Sequence, residues 1–119
     1  MSPTVLCYAL SDARFAAVAA LCGAQGCTAR RVAAEDYGRP IGALLGFPGG
    51  DRPGSGAVVE EMLVLCGFTP DRLDNFLAAF PAQGVPGVAL KAVLTPSNAA
   101  WSAGELCAEL LRERQAMEP

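Results

Sequence analysis

The chain has 119 residues, the length of one domain, and its net charge of −3 argues against a general nucleic-acid binder, which usually presents a basic surface. No apolar run reaches the roughly 18 residues that a transmembrane helix needs. No basic segment precedes the first apolar stretch, so a secretory signal is not indicated. We therefore expect one cytoplasmic domain over residues 1–119 that binds neither nucleic acid nor membranes.

The first half of the chain predicts a strand, a helix and a second strand. TVLCYAL, residues 4–10, is apolar throughout and is typical of a buried strand. Ser11 then suits a helix N-cap, and the helix ends at Gly23 and Gly26. TARRVAA, residues 28–34, is more polar, which predicts a strand nearer the edge of the sheet.

Weaker signals follow in the middle of the chain. Residues 37–45 predict a short helix, although two Gly and one Pro weaken it. Residues 46–57 are dominated by Gly and Pro, which predicts a flexible loop.

The second half repeats the order of the first. EMLVLCGF, residues 61–68, predicts another fully apolar strand, and Thr69 with Pro70 begins a helix that Gly84 ends. ALKAVLT, residues 89–95, predicts an edge strand because Lys91 points away from its apolar face. A last helix is expected over residues 103–116.

Short sequences shared by the two halves indicate an internal duplication. VLC at 5–7 and AQG at 24–26 correspond to VLC at 64–66 and AQG at 82–84 if one residue is dropped. The same matches are also expected, in part, from the general likeness of any two βαβ units, and the sequence leaves both explanations open.

Two folds place the apolar first and third strands centrally. One is a ferredoxin-like sandwich of duplicated βαβ units with strand order 4-1-3-2 and an extra C-terminal helix. The other is a doubly wound parallel sheet. The apparent duplication favours the first, and the long connection over residues 46–60 favours the second.

Residue types that usually carry catalysis or hold metals are scarce. The chain has no His, which excludes Ser-His-Asp and Cys-His catalysis within one chain and removes the commonest metal ligand. Its five Cys form no C-x-x-C pair, so neither a disulfide framework nor a zinc site is indicated. We predict no metal and no cofactor. Cys27, after a predicted helix end, is the cysteine expected to be most exposed.

The only Trp lies just before the last helix. Ser102 and Glu105 have the spacing of a capping box, so Trp101 and Leu106 occupy the two positions of a hydrophobic staple. This predicts that Trp101 sets the angle at which the chain enters the helix. The alternative is that Trp101 and Asn98 line a pocket at the end of a strand.

The same residues carry a resemblance to a known family. MLVLCGFTPDRLDNFL at 62–77 and KAVLTPSNAAWSAGELCAELLRER at 91–114 resemble a bacterial family called domain of unknown function 3783. The resemblance covers about residues 61–117 and implies no activity.

These observations predict a non-catalytic binding, assembly or regulatory module. Because only 18% of the residues are charged, we expect a homo-oligomer that pairs through a sheet edge or face, with a small-molecule ligand as a further possibility. The expected binding residues are Lys91, Thr95, Asn98 and Trp101. The alternative is a small enzyme that uses Lys91, Tyr37, a carboxylate such as Asp71, or the thiol of Cys27.

Overall fold

The structure, a computed structural model, describes residues 2–47 and 52–117. Within them the chain forms four strands, three helices and three 3₁₀ turns. In chain order these are β1 (Thr4–Tyr8), α1 (Asp12–Gln25), β2 (Thr28–Arg31), the turns Ala34–Asp36 and Gly42–Leu45, β3 (Met62–Cys66), α2 (Pro70–Ala82), β4 (Leu90–Val93), the turn Asn98–Ala100, and α3 (Ala103–Met117).

The mixed α/β class and the C-terminal helix are confirmed, but the strand order differs from both predicted arrangements. The order is β2-β1-β3-β4. β1 pairs with β2 and β3 with β4 in parallel, whereas β1 and β3 are antiparallel. Each βαβ unit therefore keeps its two strands adjacent, and no strand is inserted between them as 4-1-3-2 requires. The sheet is not wholly parallel either, as a doubly wound fold would need.

Helical elements cover both faces of the sheet. One face packs α1 and α2 against alternate residues of the two central strands, such as Val5 and Leu63. The other face packs α3 and the turn Gly42–Leu45 against the remaining ones, such as Leu6 and Val64. This explains why β1 and β3 are apolar at nearly every position, since a strand buried on both faces has no side that meets water. A two-layer ferredoxin-like sandwich would leave one face bare.

The internal duplication is visible in the backbone. β1 and β3 each have five residues, and β3 begins 58 positions after β1, at Met62 and Thr4. The same spacing relates the N-cap residues Ser11 and Thr69, and the left-handed glycines Gly26 and Gly84 that follow α1 and α2. No residue is dropped, so the predicted alignment of the two VLC stretches is wrong: Val5-Leu6-Cys7 corresponds to Leu63-Val64-Leu65.

Paired arginines join the two halves. The Arg14 guanidinium donates to the carbonyls of Pro86 and Gly87, at 2.9 and 3.2 Å. Its counterpart Arg72 donates to the carbonyls of Gln25 and Gly26, at 3.1 and 3.0 Å. Each half thus holds the chain that follows the other half's helix, as a two-fold relation between the halves would produce.

The helix predicted over residues 37–45 is wrong. The chain forms one 3₁₀ turn within that range, Gly42–Leu45, and another just before it, Ala34–Asp36. Pro40 has no N–H with which to continue a helix and instead pairs with Ser102 in an isolated antiparallel bridge.

Part of the predicted flexible loop is tied to the start of α3. Residues 48–51 of the loop lie outside the described residues. In the stretch 52–57, which we call the strap, the Ser55 carbonyl accepts from Gly104 N at 3.0 Å and from Ser102 Oγ at 2.6 Å. Gly104 permits this approach, because a Cβ there would lie 2.4 Å from the Ser55 oxygen. The flexibility of residues 46–57 stays a prediction.

Within the described residues, no helix combines the length and the apolar character that crossing a bilayer requires.

Candidate functional site

The turn after β4 is built around the side chain of Asn98. Its Oδ1 accepts from Thr95 N at 2.8 Å, and its Nδ2 donates to the Val93 carbonyl at 3.0 Å. Thr95 Oγ1 in turn accepts from Asn98 N at 3.2 Å. Asn98 is buried, with 8% of its surface exposed. Thr95 and Asn98 therefore shape the turn with the same polar atoms that a ligand would otherwise contact first.

The capping box predicted at the start of α3 is confirmed. Ser102 N donates to Glu105 Oε1 at 2.8 Å, and Glu105 N donates to Ser102 Oγ at 3.2 Å. The bonds from Ser102 hold the pKa of the Glu105 carboxyl below its usual range. The backbone of Trp101 is fixed as well, because its carbonyl accepts from Ile41 N at 2.9 Å.

A groove of about 360 Å³ lies between β4 and α3, and all four predicted binding residues line it. Lys91, Thr95 and Asn98 come from β4 and its turn, and Trp101 comes from the entry to α3. The opposite wall is one side of α3. It contributes Leu106, Glu109, Leu110 and Glu113. We call this feature the β4–α3 groove.

The residues that line the β4–α3 groove include charges of both signs. The Lys91 ammonium, from the only lysine in the chain, donates one hydrogen bond to the Val88 carbonyl at 2.7 Å, which leaves two of its three donors for other acceptors. On the facing wall, the Glu109 carboxylate pairs with Arg112. Glu113, one helical turn further on, is exposed. The Lys91 ammonium itself lies toward Val88 on the α1 and α2 side of the edge strand, because Lys91 pairs with Leu63, whereas the carboxylates lie on the α3 side.

Trp101 bears on both roles that the sequence left open. It lines the same groove as Leu106, and 37% of its surface is exposed. The staple contact between the two side chains stays a prediction. Full burial of such a side chain would contribute roughly 2–3 kcal/mol, so the contribution here is smaller. The remaining surface of the indole is available to a bound molecule.

The other residues considered for catalysis do not join Lys91. Tyr37 Oη accepts from Ala9 N at 2.8 Å, and its ring packs against Tyr8. Asp71 lies exposed in the first turn of α2. Neither lines the β4–α3 groove.

The cysteines are reduced and buried. The expectation that Cys27 is exposed is wrong: only 8% of its surface is exposed, because the chain turns inward after Gly26 and Cys27 N bonds back to the Cys22 carbonyl at 2.9 Å. Burial raises the pKa of Cys7 from 9.0 to about 12, and it also raises the pKa of Cys22 and of Cys66. These three thiols therefore stay protonated and weakly nucleophilic at neutral pH.

Sequence reasoning missed the wall formed by α3. The helix was predicted, but the side of it that faces β4 depends on the angle at which the chain leaves Trp101. The spacing of Leu106, Glu109, Leu110 and Glu113 is the i, i+3, i+4, i+7 pattern of one helical face. Two of those four positions are acidic, which is an unusual composition for a face turned toward the protein and is the signal that points to a groove.

Comparison with known proteins bears on this half of the chain. Residues 61–117 match the family model of DUF3783, a domain of unknown function. The predicted resemblance is thereby confirmed over the predicted range. The DUF3783 segment covers just under half of the chain and holds β3, α2, β4 and α3, so it contains the whole β4–α3 groove. No curated protein and no solved structure matches the chain.

Proposed function

We propose that the protein is a non-catalytic binding module whose ligand site is the β4–α3 groove. The observation that carries the proposal is that Lys91, Trp101 and Glu113 all line one groove, together with the apolar side chains of Leu106 and Leu110. The neighbouring polar groups of Asn98, Thr95 and Ser102 are used to hold the walls. A rigid frame with a few projecting charged groups suits recognition better than proton transfer.

The charges of the groove select the class of ligand. The Lys91 ammonium, turned round the edge strand, attracts an anionic group, and the exposed Glu113 carboxylate attracts a cationic one. Trp101 and Leu110 offer apolar surface between them. The groove therefore fits a zwitterionic molecule with an apolar part, such as an amino acid or a short peptide.

Calorimetric titration with apolar tripeptides tests the proposal. The unmodified tripeptide should bind saturably, and both the N-acetylated and the C-amidated forms should bind more weakly because each lacks one charged end. Lys91→Met should weaken binding about tenfold, whereas Arg39→Met, which removes an exposed cation paired with Asp36 elsewhere, should leave it unchanged. The proposal is contradicted if none of the three peptides binds saturably. It is also contradicted if Lys91→Met binds the unmodified tripeptide as tightly as the wild-type protein does.

Self-association is a second candidate, and the outer edge of β2 favours it. Both sheet faces are covered by helical elements, which leaves only the edges for pairing. The β4 edge is blunted, because Asn98 occupies the Val93 carbonyl. In β2, residues 28, 30 and 32 direct their N–H groups toward β1, so Ala29 and Arg31 direct theirs outward. No hydrogen bond joins those two N–H groups to another described residue.

The substitution Ala29→Pro tests this edge. Proline removes the outward N–H of residue 29 and leaves the ladder bonds to β1 intact, which edge strands tolerate. We expect light scattering to show a dimer for the wild-type protein and a monomer for Ala29→Pro, while Ala29→Gly remains dimeric. A wild-type protein that is monomeric at about 100 µM rules out this assembly.

A further inference from the structure

A second cavity lies at the carboxyl ends of β3 and β4. It has a volume of about 450 Å³, and its lining is mostly apolar, with Phe47, Cys66, Leu94 and Pro96 among the contributors. It shares only Thr95 with the β4–α3 groove. We call it the strand-end hollow. Its volume lies within the range of small-molecule sites, and strand carboxyl ends are where α/β sheets commonly bind ligands.

One backbone donor faces the strand-end hollow. The ladder between β3 and β4 ends with Leu94 N donating to the Leu65 carbonyl at 2.9 Å. By the alternation of the ladder, the N–H of Gly67 points to the same side as that carbonyl. No hydrogen bond joins Gly67 N to another described residue, and Gly67 lines the hollow. The hollow thus offers a backbone hydrogen-bond donor in a mostly apolar surround.

The internal duplication shows which kind of acceptor the equivalent backbone N–H binds in the first half. Ala9 corresponds to Gly67, since both follow a central strand at the same spacing and both have positive φ, 61° and 80°. In the first half, Ala9 N donates to Tyr37 Oη at 2.8 Å. The Tyr37 ring packs edge-on against Tyr8, with ring centroids 5.3 Å apart. A phenol ring therefore occupies the first-half equivalent of the hollow.

The second half has no such ring. Cys66 stands where the first half has Tyr8, and it is far smaller. Tyr37 directly follows the first 3₁₀ turn after β2, and Trp101 directly follows the 3₁₀ turn after β4. Trp101 lines the β4–α3 groove and is not among the residues that line the hollow.

We propose that the strand-end hollow binds a phenol ring, with the hydroxyl oxygen accepting from Gly67 N–H and the ring packing against Cys66 and Phe47. The ligand would supply in the second half what Tyr37 supplies in the first. Phe47, 37% exposed, stands at the rim, where it shields one side of the ring. This site is separate from the β4–α3 groove and does not depend on it.

Amide NMR with p-cresol as the probe tests the proposal. Saturable addition should move the Gly67 amide resonance most, and toluene, which has the same ring without the hydroxyl, should bind about tenfold more weakly. Equal binding of toluene, or a Gly67 resonance that does not move at saturation, overturns the proposal. Shifts that spread over the surface without saturating also overturn it.

Two variants separate this site from the groove. Phe47→Ala changes an exposed side chain at the rim and should weaken p-cresol binding several-fold with the protein still folded. Lys91→Met should leave p-cresol binding unchanged, so each site can fail without the other. Unchanged binding by Phe47→Ala contradicts the assigned position. N-acetyltyrosinamide identifies the source of the ring: tighter binding than p-cresol indicates a tyrosine of a partner protein, and weaker binding indicates a free phenol.

Discussion

Replacing Asn98 by Ala should destabilise the fold through the turn after β4. The substitution removes the Oδ1 acceptor of Thr95 N and the Nδ2 donor to the Val93 carbonyl. Each bond contributes roughly 0.5–1.5 kcal/mol. Thr95 and Val93 lie at the edge of the sheet, where water replaces the lost partner, so the penalty for an unsatisfied group is small. We expect a loss of about 2 kcal/mol in the free energy of unfolding.

Urea denaturation and calorimetry measure this loss. For a domain of this size, about 2 kcal/mol lowers Tm by roughly 6–10 °C. Asn75→Ala is the matched control, because Asn75 is the only other asparagine and is exposed on α2. There the better helix propensity of Ala should raise stability by a few tenths of a kcal/mol. An Asn98→Ala protein within about 0.5 kcal/mol of the wild type would refute the structural role assigned to this side chain.

Three further predictions concern the frame around the site. Gly104→Ala should lower the free energy of unfolding by about 1–3 kcal/mol and speed hydrogen exchange in the strap, because its Cβ would displace the Ser55 carbonyl. Gly23→Ala is the control: no atom lies within 4 Å of the new Cβ, so it should stabilise α1 by about 0.5–1 kcal/mol. Equal effects of the two substitutions would contradict the contact between the strap and α3. Ala9→Gly should raise the free energy of unfolding by about 1 kcal/mol in urea melts, because it relieves a φ of 61°; a loss would show that this strain is absent. Between pH 9 and 12 the free energy of unfolding should fall by about 1.4 kcal/mol per pH unit because of Cys7. The pKa of Cys7 is about 12 in the folded protein and 9.0 ordinarily, so the stabilisation by its protonated thiol is complete only below pH 9. Urea melts that do not change up to pH 11 would contradict the burial of that thiol.

Strand and helix positions were predictable where local chemistry decides them. Ser11 and Thr69 are N-caps because a hydroxyl can accept the N–H three residues later, at 3.2 and 3.3 Å here. Gly26 and Gly84 end helices because a left-handed residue is needed there. Such signals depend on a few neighbouring residues and not on the rest of the fold.

Strand order was not predictable from such local signals, because it depends on where the long connection after β2 returns to the sheet. The sequence did hold one clue. β1 and β3 are apolar on both sides, so a layer of helix had to cover each face. The false alignment of the two VLC stretches has a similar cause, since apolar residues in buried strands are interchangeable and their letters do not fix register.

The candidate site was half predictable. One strand and the turns that follow it hold all four predicted residues, Lys91, Thr95, Asn98 and Trp101, so their spacing along the chain places them together. The acidic wall of Glu109 and Glu113 comes from α3, whose orientation is set by the capping box and by the strap across its first turn. The capping box could be predicted, but the strap contact joins Ser55 to Ser102, which are 47 residues apart in the chain.

The most direct test of the β4–α3 groove uses residues that occur once in the chain. Lys91 is the only lysine and Trp101 the only tryptophan, so the Lys91 ammonium and the Trp101 indole N–H each give one assigned side-chain NMR signal. During titration with an apolar tripeptide, both signals should move and should report the same dissociation constant, since both side chains line one groove. Signals that stay still at saturation, or that report different constants, would contradict a single binding site between β4 and α3.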